Sequence, residues 1–225
     1  MSFKQPVVDH DAALYPDAKF GLIAPFYQAL ERCIFASYLD AARQAFPDDA
    51  VLANRILLVG EGNGRYLQWL LARKKDGCIR VVEKSPVMIW LAKTRIAGRA
   101  KVDLEFVQTD FRCYTAAQPF DCIVTHFFLD LFEPRSQQIM LEKFADLTTD
   151  NGTWINVDFV PPRTLAGRLL MWLQYTFFSI VSRIQARQCH DETAAANRNG
   201  WIVSEKLSFL NGFVVAKRYT KKRRS

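Results

Sequence analysis

The sequence has few of the features of secreted or metal-binding proteins. Its five cysteines are an odd number with no CxxC pair, and it contains only three histidines. We therefore expect neither a disulfide framework nor a metal site, and we favour a reducing, cytoplasmic environment. The first fourteen residues also lack the basic start and apolar run of a secretory signal.

Long hydrophobic runs, repeats and low-complexity blocks are lacking as well. The longest apolar stretch, Leu169 to Ser182, would span about 21 Å as a helix. That is too short to cross a bilayer of about 30 Å. The 225 residues are 50% hydrophobic and 24% charged, which predicts one globular domain with a sizeable core.

Positive charge is concentrated at one end of the chain. The net charge is +7, and the segment from Lys217 to Arg224 holds six cations and no acid. The rest of the chain is nearly neutral, which weakens the case for a nucleic-acid partner. Two interpretations of the segment stay open, a solvated tail or a tail attracted to anionic lipid headgroups at the inner membrane face.

Apolar strands alternate with amphipathic helices through most of the sequence. A helix is predicted over residues 20 to 46, and Ser85 followed by Pro86 predicts the start of another. Further helices are predicted at 65–73 and 134–147, and strands at 55–59, 78–83, 102–108, 120–128 and 152–159. Strands that are apolar throughout and alternate with helices predict a parallel sheet covered on both faces.

The end of the chain departs from this alternation. Two strands, 203–210 and 213–219, are separated only by Asn211-Gly212, a strong hairpin signal. The predicted fold is therefore α/β, a doubly wound, mostly parallel seven-stranded sheet with an antiparallel C-terminal hairpin. We expect an N-terminal helical cap (1–50), a main domain (51–219) with a helical insert at about 160–199, and a basic tail (220–225).

Candidate binding residues follow the first three strands. A glycine-rich turn contains Gly60, Gly62 and Gly64. This turn alone is a weak signal, because a tight turn that binds no ligand has the same sequence pattern. The second strand ends in Glu83, which could accept hydrogen bonds from both hydroxyls of a ribose. The third ends in Asp110 and Phe111, which could offer a carboxylate to the adenine amino group and a ring to its face.

These motifs together resemble the class I S-adenosylmethionine-dependent methyltransferases over nearly all of residues 50 to 219. The resemblance rests on LLVGEGNGRYL, VVEKS, QTDF and FDCIVTHFF in that order, and on the terminal hairpin. It implies that the glycine-rich turn passes beside the methionine part of the cofactor. It also implies that Glu83 holds the ribose and Asp110 contacts the adenine.

The sequence departs from this family at one position and resembles a subgroup at another. Leu58 stands where the family usually has an acid; either Glu61 takes over part of its role, or the methionine amino group is held differently. The segment APFYQALE around Tyr27 resembles the start of ubiquinone and menaquinone biosynthesis methyltransferases. That resemblance adds Tyr27 to the candidate cofactor-binding residues.

Acceptor-side candidates follow the fourth strand and lie in the insert. His126 and Asp130 are candidate catalytic groups, His126 as a base or as a packing residue, and Phe128 is a candidate pocket residue. Trp172 and Phe178 belong to an insert helix with apolar side chains on more than one face. That helix packs in the core, lines a lipophilic pocket or meets the membrane interface.

The favoured function is methyl transfer from S-adenosylmethionine to a small, lipophilic acceptor, aromatic or quinone-like, at oxygen or carbon, without a metal. A nucleic-acid methyltransferase stays an alternative, although the fourth strand lacks the Asn/Asp-Pro-Pro-aromatic signature. A non-catalytic cofactor-binding or scaffold protein is the other. The sequence determines neither the acceptor nor the oligomeric state.

Overall fold

The computed structural model describes residues 36–160 and 191–222. In chain order the helices and strands are α1 (Ala36–Arg43), α2 (Pro47–Leu52), β1 (Arg55–Val59), α3 (Arg65–Leu71), β2 (Cys78–Glu83), α4 (Pro86–Arg95), β3 (Asp103–Gln108), β4 (Phe120–His126), α5 (Pro134–Leu147), β5 (Thr148–Phe159), α6 (Thr193–Arg198), β6 (Trp201–Phe209) and β7 (Val214–Lys221).

The strands form one seven-stranded sheet in the order β3-β2-β1-β4-β5-β7-β6. Strands β1 to β5 pair in parallel, and β7 is antiparallel to both of its neighbours. This confirms the predicted fold class. The order reverses between β1 and β4, which in open α/β sheets creates a crevice at the carboxyl ends of the strands.

Both faces of the sheet are buried because alternate strand residues enter two separate apolar cores. In β1, Ile56 and Leu58 pack under α1, α2 and α3, whereas Leu57 and Val59 pack under α5 and α6. All four are at most 1% exposed. A continuous apolar run is what a strand covered on both faces requires.

Several boundaries differ from the sequence prediction. The predicted two-residue hairpin loop is wrong: β6 ends at Phe209, and a 3-10 turn over Leu210–Gly212 precedes β7. Phe213 leaves the strand because its ring packs on Phe159 at 5.1 Å. Strand β4 ends at His126, before the predicted limit of 128.

Strand β7 is longer than predicted and contains half of the cations assigned to the basic end of the chain. It runs to Lys221, which pairs with Trp201 of β6. Lys217 is 2% exposed, and Arg218 pairs with Asp49 and Glu205. The interpretation of a continuous solvated segment from residue 217 is therefore wrong for Lys217 and Arg218, because both are strand residues with acidic partners.

Several predictions lie outside the described residues, namely those for Tyr27, Trp172, Phe178, most of the N-terminal cap and residues 161–190 of the insert. Within the described ranges, the helices are all too short or too polar to cross a membrane.

Candidate cofactor and acceptor site

The glycine-rich turn continues directly from β1 and is held against β2. Gly60 donates its N–H to the carbonyl of Val82 at 2.9 Å. Gly60 and Gly64 have φ angles of 66° and 80°, in the left-handed region that favours glycine. A Cβ on Gly64 would lie 2.7 Å from Cα of Ala92 in α4, so the turn needs glycine for helix packing as well as for conformation.

Glu83 connects the glycine-rich turn after β1 to the turn after β2, at the edge of the sheet. Its Oε2 accepts the N–H of Gly62 at 3.1 Å and its Oε1 accepts the N–H of Ser85 at 2.9 Å. Burial raises the pKa of Glu83, and the N–H donors oppose that rise. Each carboxylate oxygen keeps a further lone pair. This capacity fits two adjacent hydroxyls, as a ribose presents them.

Asp110 follows β3 and is held by Arg112. Its Oδ1 accepts the Arg112 backbone N–H and Nε, each at 3.0 Å, and its Oδ2 accepts the second guanidinium nitrogen at 2.9 Å. Burial alone would raise the pKa of Asp110, but the hydrogen bonds and charge of Arg112 outweigh it and lower the pKa. The carboxylate is therefore charged and oriented, and Oδ2 can accept a further hydrogen bond.

The ring of Phe111 does not fit its predicted contact with adenine. Phe111 is 4% exposed and packs on Phe144 of α5 at a centroid distance of 5.0 Å. The ring belongs to the core beneath α5 because an apolar ring gains more there than at the edge of the sheet.

Leu58 and Glu61 have different environments. Leu58 is 1% exposed inside the core and cannot reach a ligand. Glu61 accepts the N–H of Leu67 at 2.8 Å and so caps the first turn of α3. Burial raises the pKa of Glu61 to about 7, because the loss of solvation exceeds the effects of these N–H groups and of Arg43.

His126 ends β4 with its ring beneath α3. It is 8% exposed, and its ring meets Tyr66 edge-on at 4.5 Å. Burial, with the nearby charge of Arg43, lowers the pKa of His126 well below its usual value. The ring is therefore neutral at pH 7, and its Nε2 has no hydrogen-bond partner.

Asp130 lies beside a carboxyl group that the sequence analysis missed. Its carboxyl group interacts electrostatically with that of Asp158, the second-last residue of β5. Burial raises the pKa of Asp130 to about 7 and, with the charge of Asp130, raises that of Asp158. An acid at the carboxyl end of a strand, the feature that identified Glu83, was the available signal.

Beneath this pair lies a second group of residues that sequence reasoning did not find. Glu192 Oε1 accepts hydrogen bonds from Asn156 at 2.8 Å, Lys217 at 3.2 Å and Tyr219 at 2.8 Å. We call this set the Glu192 network. Burial would lower the pKa of Lys217, but its acidic partners Glu192 and Asp191 outweigh burial and raise it. The network fastens the N-terminal end of α6 to β5 and β7.

Comparison with known proteins is consistent with this geometry. Residues 56–152 match the family model described as a methyltransferase domain. These residues form a methyltransferase domain. The matched domain is the one that the sequence motifs predict. No curated relative matches the sequence.

Solved structures show that the fold around this methyltransferase domain is shared. The mitomycin 7-O-methyltransferase MmcR is similar with a TM-score of 0.69 and 17% identity, over 90% of this chain and 60% of that one. The protein bound to the Haloferax volcanii Trm112 methyltransferase activator is similar with a TM-score of 0.71 and 15% identity, over 92% of this chain and 97% of that one. Magnesium protoporphyrin IX methyltransferase from Synechocystis PCC 6803 was solved with bound S-adenosylhomocysteine. It is similar with a TM-score of 0.65 and 16% identity, over 88% of each chain.

Proposed function

We propose that this protein transfers a methyl group from S-adenosylmethionine to a small, lipophilic acceptor, aromatic or quinone-like, at oxygen or carbon. One observation carries the proposal. The carboxyl ends of β1, β2 and β3 bring the glycine-rich turn, Glu83 and Asp110 to one edge of the sheet. Their remaining acceptor capacity suits the hydroxyls and the amino group of an adenosine.

The donor side of the site binds and orients. S-adenosylmethionine, when bound, supplies an electrophilic methyl group on a sulfonium. Glu83 would hold the ribose while it keeps the Gly62 loop in place, and Asp110 would take the adenine amino group at Oδ2. Alignment of donor and acceptor in a cleft that excludes water supplies much of the rate of such a transfer.

The acceptor side is aromatic, which supports a lipophilic acceptor. Phe128 lies against Gly60 of the cofactor turn, and its ring meets that of Phe132 at 5.0 Å. Both rings are half-buried. Flat apolar side chains at this edge favour a planar apolar acceptor over a charged one.

Asp130 is the better candidate base of the two groups after β4. Burial raises the pKa of Asp130 to about 7, which leaves its carboxylate able to accept a proton from a hydroxyl near neutral pH. His126 has lost basicity through burial. We therefore propose His126 as a packing residue at the strand end and Asp130 as the base when the acceptor is a hydroxyl.

A reducing, cytoplasmic location is part of the proposal. Three cysteines of the described ranges carry free thiols, Cys78, Cys113 and Cys122. Peripheral contact with an anionic membrane stays a proposal from the charge of the last residues. A nucleic-acid acceptor gains no support, because Lys217 and Arg218 are engaged by acidic side chains.

The deciding experiment combines cofactor binding with an acceptor panel. Calorimetry should show binding of S-adenosylhomocysteine to the full chain. Labelled S-adenosylmethionine should then transfer its methyl group to catechols or hydroquinones in the panel and not to transfer RNA or duplex DNA. Methylation of nucleic acid alone would refute the proposed acceptor class, and binding without turnover of any acceptor would favour the scaffold interpretation.

A further inference from the structure

A strained residue separates β4 from the aromatic part of the site. Phe127 has a φ angle of 52°, and a bulky side chain is strained in this left-handed region. Its N–H donates to the carbonyl of Val157 at 2.6 Å. Its ring lies 4.8 Å from that of Phe159 and beneath the guanidinium of Arg43 at 4.9 Å. These contacts maintain the strained conformation.

Two consecutive phenylalanines, the strained residue and the next one, enter different cores. Phe127 packs with the core beneath α1 to α3, and Phe128 packs with the core beneath α5. The ring of Phe128 fills the space beside Gly60, where a Cβ would lie 2.3 Å from Cδ2 of that ring. Phe128 is therefore in direct contact with the first glycine of the cofactor turn.

A single side chain fixes the backbone of Phe128. Its N–H donates to Oδ1 of Asp158 at 3.1 Å. Asp158 is 5% exposed and is itself placed by antiparallel pairing with Val215 of β7. The position of the ring on Gly60 thus depends on a hydrogen bond from the neighbouring strand, β5.

We propose that Asp158 is a positioning residue, which acts through Phe128 to hold an aromatic wall against the cofactor turn and so shapes the part of the cleft that receives a planar apolar acceptor. The inference rests on the proposed function, because it assigns a role within that site. The proposed role depends on Oδ1 of Asp158, which accepts the hydrogen bond from the Phe128 N–H. An asparagine offers the same oxygen, whereas an alanine does not.

The first test needs no ligand. Amide hydrogen exchange, followed by NMR on the full chain, should show a protected Phe128 N–H in the parent protein and in Asp158→Asn. In Asp158→Ala the exchange should become at least tenfold faster, and Asp150→Ala, an exposed acid of the same strand, should leave it unchanged. Unchanged protection in Asp158→Ala, or equal loss in Asp158→Asn, would overturn the inference.

The second test uses S-adenosylhomocysteine as the probe in a double-mutant cycle. Asp158→Ala and Phe128→Ala should each weaken its binding about five- to tenfold, and Asp158→Asn should stay within twofold. The double variant should bind no more weakly than Phe128→Ala alone, because Asp158 acts through that ring. Additive losses would refute this. A parent protein that does not bind the probe would refute the proposed function, while the exchange experiment would still decide the inference.

Discussion

The donor side and the acceptor side of the cleft are built by different physical means. On the donor side, between β1, β2 and β3, short turns need glycine, and carboxylates bind backbone N–H groups directly. On the acceptor side, between β4, β5 and β7, large aromatic rings and buried charged groups of distant segments hold one another. The donor side is marked by sequence motifs at the ends of strands, whereas the acceptor side is recognisable only from tertiary packing.

The largest expected effect is on the stability of the protein, and it follows from removing Lys217, the buried cation of the acceptor side. Lys217→Met leaves the carboxylate of Glu192 buried without its charged partner, and loss of one member of a buried ion pair costs about 3 to 5 kcal/mol. We expect that loss in the free energy of unfolding measured with urea. Lys206→Met is the matched control, since Lys206 lies opposite Lys217 in the register but is exposed. Equal stability of the two variants would contradict the importance of the Glu192 network.

The next effect is on the donor side. Gly64→Ala places a methyl group 2.7 Å from the backbone of Ala92 and also strains φ, which together should cost about 2 to 4 kcal/mol. Gly62→Ala has the same kind of φ but nothing within 4 Å of the added Cβ, and should cost only about 1 kcal/mol. Thermal unfolding of both variants measures the difference. A larger loss of stability in Gly62→Ala than in Gly64→Ala would show that contact with α4 is not what makes a side chain at residue 64 destabilising.

The residues that could be predicted from the sequence and those that could not are divided in the same way. The glycine-rich turn, Glu83 and Asp110 could be chosen as candidates from the sequence because each lies at the carboxyl end of a predicted strand. Phe111 was misassigned because burial under α5 involves Phe144, which is 33 residues away. Asp158, Glu192 and Lys217 were missed as a group, because only the pairing of β5 with β7 brings them together.

A smaller effect concerns binding on the donor side. Glu83→Ala removes two charge-assisted hydrogen bonds to a ribose and frees the N–H groups of Gly62 and Ser85, and each such bond is worth about 1.5 to 3 kcal/mol. S-adenosylhomocysteine should bind at least tenfold more weakly by calorimetry. Glu105→Ala, an exposed acid on β3 paired with Arg80, should bind normally. Unchanged affinity in a folded Glu83→Ala protein would remove Glu83 from the site.

The pH dependence of stability touches both sides. The pKa values of Glu61 and Asp130 rise on folding to about 7, so the folded state binds more protons than the unfolded state between pH 5 and 8. These two groups should therefore each lower stability as pH rises through this window, by about 2 to 3 kcal/mol. Burial lowers the pKa of His126 and so opposes this trend, which means that the contribution of each acid is read from the difference between variant and parent. Glu61→Gln and Asp130→Asn should each reduce the fall in unfolding free energy from pH 5 to 8, and variants with the same pH dependence as the parent would contradict both shifts.

The smallest effect concerns the last cations of the chain, beyond the part of β7 that belongs to the acceptor side. Lys217 and Arg218 have acidic partners, and Lys221 donates to the carbonyl of Thr148. Cutting the chain after Tyr219 would therefore remove two residues of β7, so the sharper variant replaces Lys222, Arg223 and Arg224 by serine.

Each of these cations is worth up to about 1 kcal/mol at an anionic surface, and the attraction falls with salt. If they draw the protein to a membrane, it should co-sediment with phosphatidylserine-containing vesicles at low ionic strength, release at high salt, and bind less after the triple substitution. Binding of S-adenosylhomocysteine should not change, because these cations are not among the proposed cofactor-binding residues. A parent protein that ignores the vesicles even at low salt would leave a solvated end and favour a water-soluble acceptor.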